Sequence, residues 1–227
     1  DEKLDGLHSI LYQLKKGENA IVFVNHRETC ERIGDHLYDF GITFSVFHGG
    51  MKQEKRELAL TLFRNGSAQI LLATDIAARG IDVPQLNLVV HYQIPREEST
   101  FIHRNGRTAR VQENGQSVIL LSGDDYLPDY IKGDLPVFEL NNSEMIDLPF
   151  FETIFIGKGK KDKINKMDIV GYFFSFDFID KSDLGLIEVK DYCAYIAVNR
   201  EKASQIVKLS RDKKMKNKKV KIALVRL

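Results

Sequence analysis

The chain has 227 residues, 43% of them apolar, enough to build one large hydrophobic core or two modest ones. No run of about 18 apolar residues occurs, and no charged-then-apolar leader opens the chain, so neither a membrane span nor a secretory signal is expected. The net charge of +1 hides an asymmetry: residues 1–140 carry 15 Lys and Arg against 20 Asp and Glu (net −5), and residues 141–227 carry 18 against 12 (net +6). Such a split points to two modules with different partners; a solvated Lys-rich surface is the plainer alternative. Cys30 and Cys193 lie far apart without metal-ligand spacing. They read as free thiols of a reducing compartment, so a cytoplasmic location and no bound metal are expected.

In chain order, "LDGLHSILYQL" has helical apolar spacing, and "AIVFVN" is a short continuous apolar run, as in a strand buried on both faces. "HRETCERIGDHLYDFG" predicts a helix closed by Gly41, "TFSVFHGG" a strand, and "QEKRELALTLFRNG" a helix stopped at Asn65-Gly66. "AQILLAT" and "LNLVVHY" are strands, "ESTFIHRNGRTAR" begins with a helix, and "GQSVILLS" is a further strand. This alternation predicts an α/β unit with a parallel sheet and helices on both faces, its ligands beyond the C-terminal strand ends. Residues 123–150, rich in Asp, Asn, Pro and Gly, predict a connecting segment with one short helix. From residue 150 the order β-α-β-β-α-β is the ferredoxin-like arrangement shared by RNA-recognition modules. The predicted domains are therefore 1–140, including the connector from about 123, and 150–227.

Two segments look odd as plain structure. In "HRNGRTAR", Arg104, Arg107 and Arg110 recur every third residue, and a helix would set them on one broad face. Guanidinium groups so placed call for anions, and phosphate suits their planar fork; a surface helix with scattered Arg is the alternative. In "ATDIAARGIDVP", Thr74 ends a strand where it can hold a phosphate, Gly80 allows close backbone approach, and Asp82 suits a ribose hydroxyl. Asp75 and Arg79 are near enough in sequence to brace the loop, and for Arg79 local pairing is the better reading.

Together "AIVFVNHRETCERI", "VFHGGMKQEKRELALTLFRNG", "ILLATDIAARGIDVPQLNLVVHYQIP" and "FIHRNGRTAR" resemble motifs IV, IVa, V and VI of the DEAD-box RNA helicases, in order and at family-like spacing, over residues 1 to about 122. The resemblance implies a second RecA-like lobe of a two-lobed, ATP-dependent RNA helicase. It implies ATP contacts at Gly80 and Asp82, and arginine fingers at Arg107 and Arg110. His103 and Arg104 would link lobes and motifs. Asn25, His26, Arg27, Gly49, Gln53, Arg56 and Thr74 would grip the RNA backbone. His26, Gly50, Asn105 and Ala109 depart from the family pattern, Asn105 standing where an apolar residue is usual. No G-x-x-x-x-G-K-[ST] phosphate loop and no D-E-A-D occur. The chain is expected to be inactive alone, as a piece of a longer helicase or with a partner supplying the first lobe. That lobe would hold Mg²⁺ and the ATP phosphates.

In the basic module, Lys158, Lys160, Lys161 and Lys163 fall in the loop after the first strand, where they can track phosphates. "GKKDKI", "LGLIEVKDYCAYIAV" and "KKVKIALVRL" resemble the C-terminal domain of DbpA-type bacterial DEAD-box proteins over residues 150–227. This implies recognition of structured ribosomal RNA during large-subunit assembly. Tyr192 is the candidate exposed aromatic, whereas Tyr195, Phe155 and Phe173 are expected in the core. RNA and the first lobe are the expected partners of a monomer that needs no membrane. A non-enzymatic RNA-binding scaffold and an ATP-dependent RNA clamp remain the alternatives.

Overall fold

The computed structural model describes residues 2–77, 82–83, 85–108, 115–123, 125–140, 146–211 and 213–225. The chain divides into two compact units with the boundary between Leu148 and Pro149, the turn Arg64–Ser67 grouping with the second. Among the described residues no helix is long and apolar enough to cross a membrane.

The first unit runs α1 (Glu2–Leu11), β1 (Ala20–Phe23), α2 (Arg27–Asp39), β2 (Phe44–Phe47), α3 (Gln53–Arg64), β3 (Ile70–Ala73), β4 (Leu88–His91), α4 (Glu98–Asn105) and β5 (Gln116–Ile119). The five strands form one parallel sheet in the order β2-β3-β1-β4-β5. The three inner strands, AIVF, ILLA and LVVH, are buried at every residue, whereas the edges β2 and β5 are only partly so. Parallel strands joined by helical crossovers are covered on both sides, which is why their sequences read as unbroken apolar runs. Ala20 and Val22 meet Leu7 and Leu11 of α1 and Ile33 and Leu37 of α2; Ile21 and Phe23 meet a second cluster that includes Phe63 of α3. The buried thiol of Cys30 is pushed up to about 12 by desolvation, which makes it unreactive.

The second unit runs β6 (Phe151–Ile156), α5 (Lys166–Phe174), β7 (Leu184–Val189), β8 (Ala194–Asn199), α6 (Arg200–Leu209) and β9 (Ile222–Leu224), an antiparallel sheet in the order β7-β8-β6-β9. Asn165 and Asp168 cap α5 reciprocally, and the Asn199 side chain accepts from Glu201 N at the start of α6. Ile154, Ile156, Ile196 and Val198 face a core shared with Ile169, Phe173 and Ile206. The α/β lobe followed by a βαββαβ sheet is the predicted architecture. Between residues 123 and 150, no described residue is helical. Phe173 is in the core, but Phe155 and Tyr195 are not. They pair across β6 and β8, rings 5.7 Å apart and half-buried, because strand alternation turns them away from Ile154 and Ile156.

One buried group in the first sheet titrates. His91, fully buried in β4, exchanges a hydrogen bond of 2.8 Å between Nε2 and Asn105 Oδ1, and burial holds it neutral at a pKa of about 4. Its folded pKa lies below the ordinary 6.5, so the unfolded chain takes up the proton first as the medium is acidified. Stability is complete above pH 6.5 and falls between pH 6.5 and 4, by roughly 3 kcal/mol for this one group. Urea unfolding at pH 7 and pH 5 should show this acid loss in the native chain and a smaller one in His91→Phe.

Candidate nucleotide and RNA site

The first unit's site is built around one side chain. Arg104 is fully buried near the end of α4, with its guanidinium 5.0 Å from the centre of the Phe23 ring. Its Nε donates to Asp75 Oδ1 at 2.6 Å, one terminal nitrogen to the Gln93 carbonyl at 2.7 Å, and the other to Asn25 Oδ1 at 2.9 Å. Those acceptors follow β3, β4 and β1, so one planar cation ties three loops at the C-terminal edge of the sheet. Asn25 is bound further: its backbone N–H donates to Gln93 Oε1 at 2.8 Å and its Nδ2 to the Ile94 carbonyl at 2.9 Å. Its amide is thus committed to holding the loop.

A cleft of about 630 Å³ opens beside this knot, between Asn25 and His26, Asp75 and Ile76, and Pro95 to Thr100. His26 and Arg27 are exposed at the start of α2. The loops after β1, β2 and β3 meet here. A Cβ on Gly50 would lie 3.5 Å from Arg27 Cδ, and one on Gly49 would lie 3.2 Å from Ile76 Cδ1. Gln53 and Arg56 join at 2.7 Å on the first turn of α3, and Thr74 closes β3 with its N–H on the Phe47 carbonyl. These candidate RNA contacts come together on the β2-β3-β1 side of the edge.

The arginine row is corrected by the geometry. Helix α4 stops at Asn105, Arg104 points into the protein, and Arg107 sits half-buried in the turn that follows. Arg104 and Arg107 therefore do not share a helical face. Asp75 pairs with Arg104; Arg79 lies outside the described residues, as do Gly80 and Arg110. His103 and Asp82 are exposed. The sequence reading missed Gln93, whose side chain and carbonyl both serve the knot. No local signal marks it, because its partners lie 68 and 11 residues away.

In the second unit, the loop after β6 is fixed by its backbone. Lys160 N donates to the Lys190 carbonyl and Lys161 N to the Asp191 carbonyl, each at 2.9 Å. This close approach demands Gly159, where a Cβ would meet those carbonyl oxygens at 2.3 and 2.6 Å. Lys163 takes a left-handed conformation with φ 63°. Some lysines serve the framework. Lys158 Nζ pairs with Asp162 at 2.8 Å, which together with the Gly159 N–H holds that carboxyl below its ordinary range. Lys218 donates to the Asp162 carbonyl, and Lys216 to the Lys163 carbonyl and Asp168. Lys160, Lys161 and Lys163 are exposed, and Tyr192, 74% exposed, stands in the β7–β8 turn that holds their loop. The loop after β6, the β7–β8 turn and the hairpin closed by the Met215–Lys218 pair are thus tied together, and they carry Lys160, Lys161, Lys163 and Tyr192.

A RecA-like lobe, with its candidate loops gathered at one sheet edge, followed by a basic antiparallel domain is the class this architecture defines. Residues 2–112 match the helicase conserved C-terminal domain, and residues 153–224 match the DbpA RNA binding domain. The chain is 31% identical to the ATP-dependent RNA helicase DbpA of Escherichia coli (strain K12), over 95% of this chain and 49% of that protein. It is 28% identical to the protein of the same name from Bacillus subtilis (strain 168), over 90% and 49%. The crystal structure of the yeast DEAD-box splicing factor Prp28 aligns at 34% identity and a TM-score of 0.51, covering 55% of this chain and 27% of that one. The chain belongs to the DEAD-box helicases and corresponds to their C-terminal half. It spans about half the length of the curated DbpA relatives it matches.

The knot predicts a large asymmetry between two arginines. Lys at position 104 keeps the charge but cannot satisfy three diverging acceptors, so Arg104→Lys should cost about 2 kcal/mol or more. Arg27→Lys, on an exposed pair with Glu28, should leave the unfolding midpoint essentially unchanged. Urea unfolding of both variants checks the contrast.

Proposed function

We propose that this chain is the working C-terminal half of an ATP-dependent RNA helicase that remodels short structured RNA. The RNA is ribosomal, met during large-subunit assembly, and the protein acts as a monomer in the cytoplasm. The observation that carries the reading is the Arg104 knot, which holds the loops after β1, β3 and β4 at one edge of the sheet beside the turn bearing Arg107. Similarity to the two DbpA helicases supports the activity; the ribosomal target rests on family resemblance.

In this mechanism ATP binds between this lobe and a first lobe outside the chain, which would also hold the Mg²⁺; no residue here is assigned to the metal. Gly80 lets the backbone approach the nucleotide, and the Asp82 carboxylate accepts from a ribose hydroxyl. As negative charge spreads over the γ-phosphoryl oxygens during transfer to water, Arg107 and Arg110 donate N–H bonds to them. His26, Arg27, Gly49, Gln53, Arg56 and Thr74 hold one RNA strand by its sugar–phosphate backbone. Lobe closure bends that strand, a short duplex parts, and hydrolysis reopens the cleft. The second unit tethers the motor through Lys160, Lys161 and Lys163, with Tyr192 available to stack on an unpaired base.

Steady-state ATPase of the complete two-lobed protein at saturating RNA tests the finger assignment. Arg107→Ala should lower kcat by about 10³ or more, and Arg107→Lys should recover little. Asp82→Ala should instead raise the KM for ATP. Near-normal turnover by Arg107→Ala would remove the assignment.

The tether is tested by titrating a structured rRNA fragment against salt. Changing Lys160, Lys161 and Lys163 to Ala together should weaken binding and flatten the log–log salt dependence by roughly 0.7–0.9 per lost phosphate contact. An unchanged slope would place the RNA elsewhere.

A further inference from the structure

The turn that carries Arg107 is linked to the sheet through Asn105. The carbonyl of Asn105 accepts from both the N–H and the hydroxyl of Thr108, each at 2.9 Å, which closes the turn Gly106–Thr108. The side-chain oxygen of the same Asn105 meets Nε2 of His91 on β4 at 2.8 Å and accepts from the Ser117 hydroxyl on β5 at 2.7 Å. On the far side of the turn, Gly115 leaves no room for movement: a Cβ there would lie 2.8 Å from both Thr108 Cβ and the Leu86 carbonyl oxygen. His91 is fully buried against Phe101 of α4, ring centres 4.6 Å apart, so its own position is set by packing. Asn105 is also where the sequence departs from the apolar residue usual in the family, and its two polar partners give that departure a purpose.

We infer that Asn105, held by His91 and Ser117, is a positioning residue that fixes the Arg107 turn relative to the sheet and so aligns the finger for phosphoryl transfer. The inference rests on the finger reading of Arg107 proposed above. Asn105 acts through the backbone of the turn, so its loss should displace a group needed in the transition state and leave ground-state nucleotide binding alone.

The test uses the complete two-lobed protein with saturating RNA. Asn105→Leu keeps the volume and helix propensity but offers no acceptor, and should lower kcat by about tenfold or more with the KM for ATP within about twofold. Asn105→Asp retains an oxygen that accepts from both His91 and Ser117, and should keep kcat within about threefold of the native value. Ser117→Ala removes one of the two sheet contacts and should fall between them, which keeps the test decisive if the Leu variant folds poorly. A readout independent of ATP accompanies these. Amide hydrogen exchange at Arg107 and Thr108 should quicken in Asn105→Leu and stay native-like in Asn105→Asp. Native kcat in Asn105→Leu, a raised KM with native kcat, or an Asp variant as slow as the Leu variant overturns the inference. Arg107→Ala separates the two levels. If it abolishes turnover while Asn105→Leu does not, only the positioning role is wrong; if Arg107→Ala is itself active, the finger reading falls and takes this inference with it.

Discussion

The first unit depends on a buried cation. A guanidinium group cannot shed its charge, so a fully buried Arg104 must find acceptors or strongly destabilise the fold. It finds them in Asp75, the Gln93 carbonyl and Asn25, which belong to three separate loops. The fork is planar and its N–H directions are fixed, so the three acceptors are held in one mutual arrangement. Their loops cannot drift independently without exposing an unsatisfied polar group. The Phe23 ring beneath the guanidinium adds a flat apolar seat. The phosphate contacts proposed for this cleft edge would need such rigidity, because electrostatic stabilisation acts only when the donors are already in place.

The second unit reaches the same end with backbone contacts. Its basic loop is laid against the Lys190–Asp191 carbonyls through Gly159, and the Lys216 and Lys218 ammonium groups staple the hairpin onto it. Several lysines that composition alone would count as ligands are thereby spent on structure. Lys158 is the clearest case, its ammonium on Asp162. The exposed remainder, Lys160, Lys161 and Lys163, is displayed by a loop whose conformation is fixed by these contacts. Phosphate contacts position a nucleic acid by charge, and fixing the charges makes their spacing selective for the shape of the RNA.

Asn105 and His91 show how a departure from a family pattern acquires meaning. Taken singly, a polar residue in an apolar helix position and a histidine inside a strand are both unfavourable. Together they share a hydrogen bond, with Ser117 as a third member, and couple the end of α4 to two strands. Burial keeps the imidazole neutral, so the contact stays an uncharged hydrogen bond across the physiological range.

The strands were legible in the sequence because each central strand is a short apolar run and each crossover helix has its own stripe. These are local patterns, imposed by burial on both faces or one. The order of the two units, the basic character of the second, and the candidate loops were legible for the same reason: they are read from adjacent residues. The direction of each arginine was not. A repeat of three fits one helical face on paper, but the helix ends at Asn105 and the inward turn of Arg104 is set by acceptors 11, 29 and 79 residues distant. Likewise, strand alternation put Phe155 and Tyr195 on the face away from the core, and the helix expected between residues 123 and 150 is absent among the described residues. Sequence determined which segments carry charge and which are apolar. Tertiary structure decided which charges are buried as ties and which face outward, because hydrogen-bond partners are selected by the approach of distant loops.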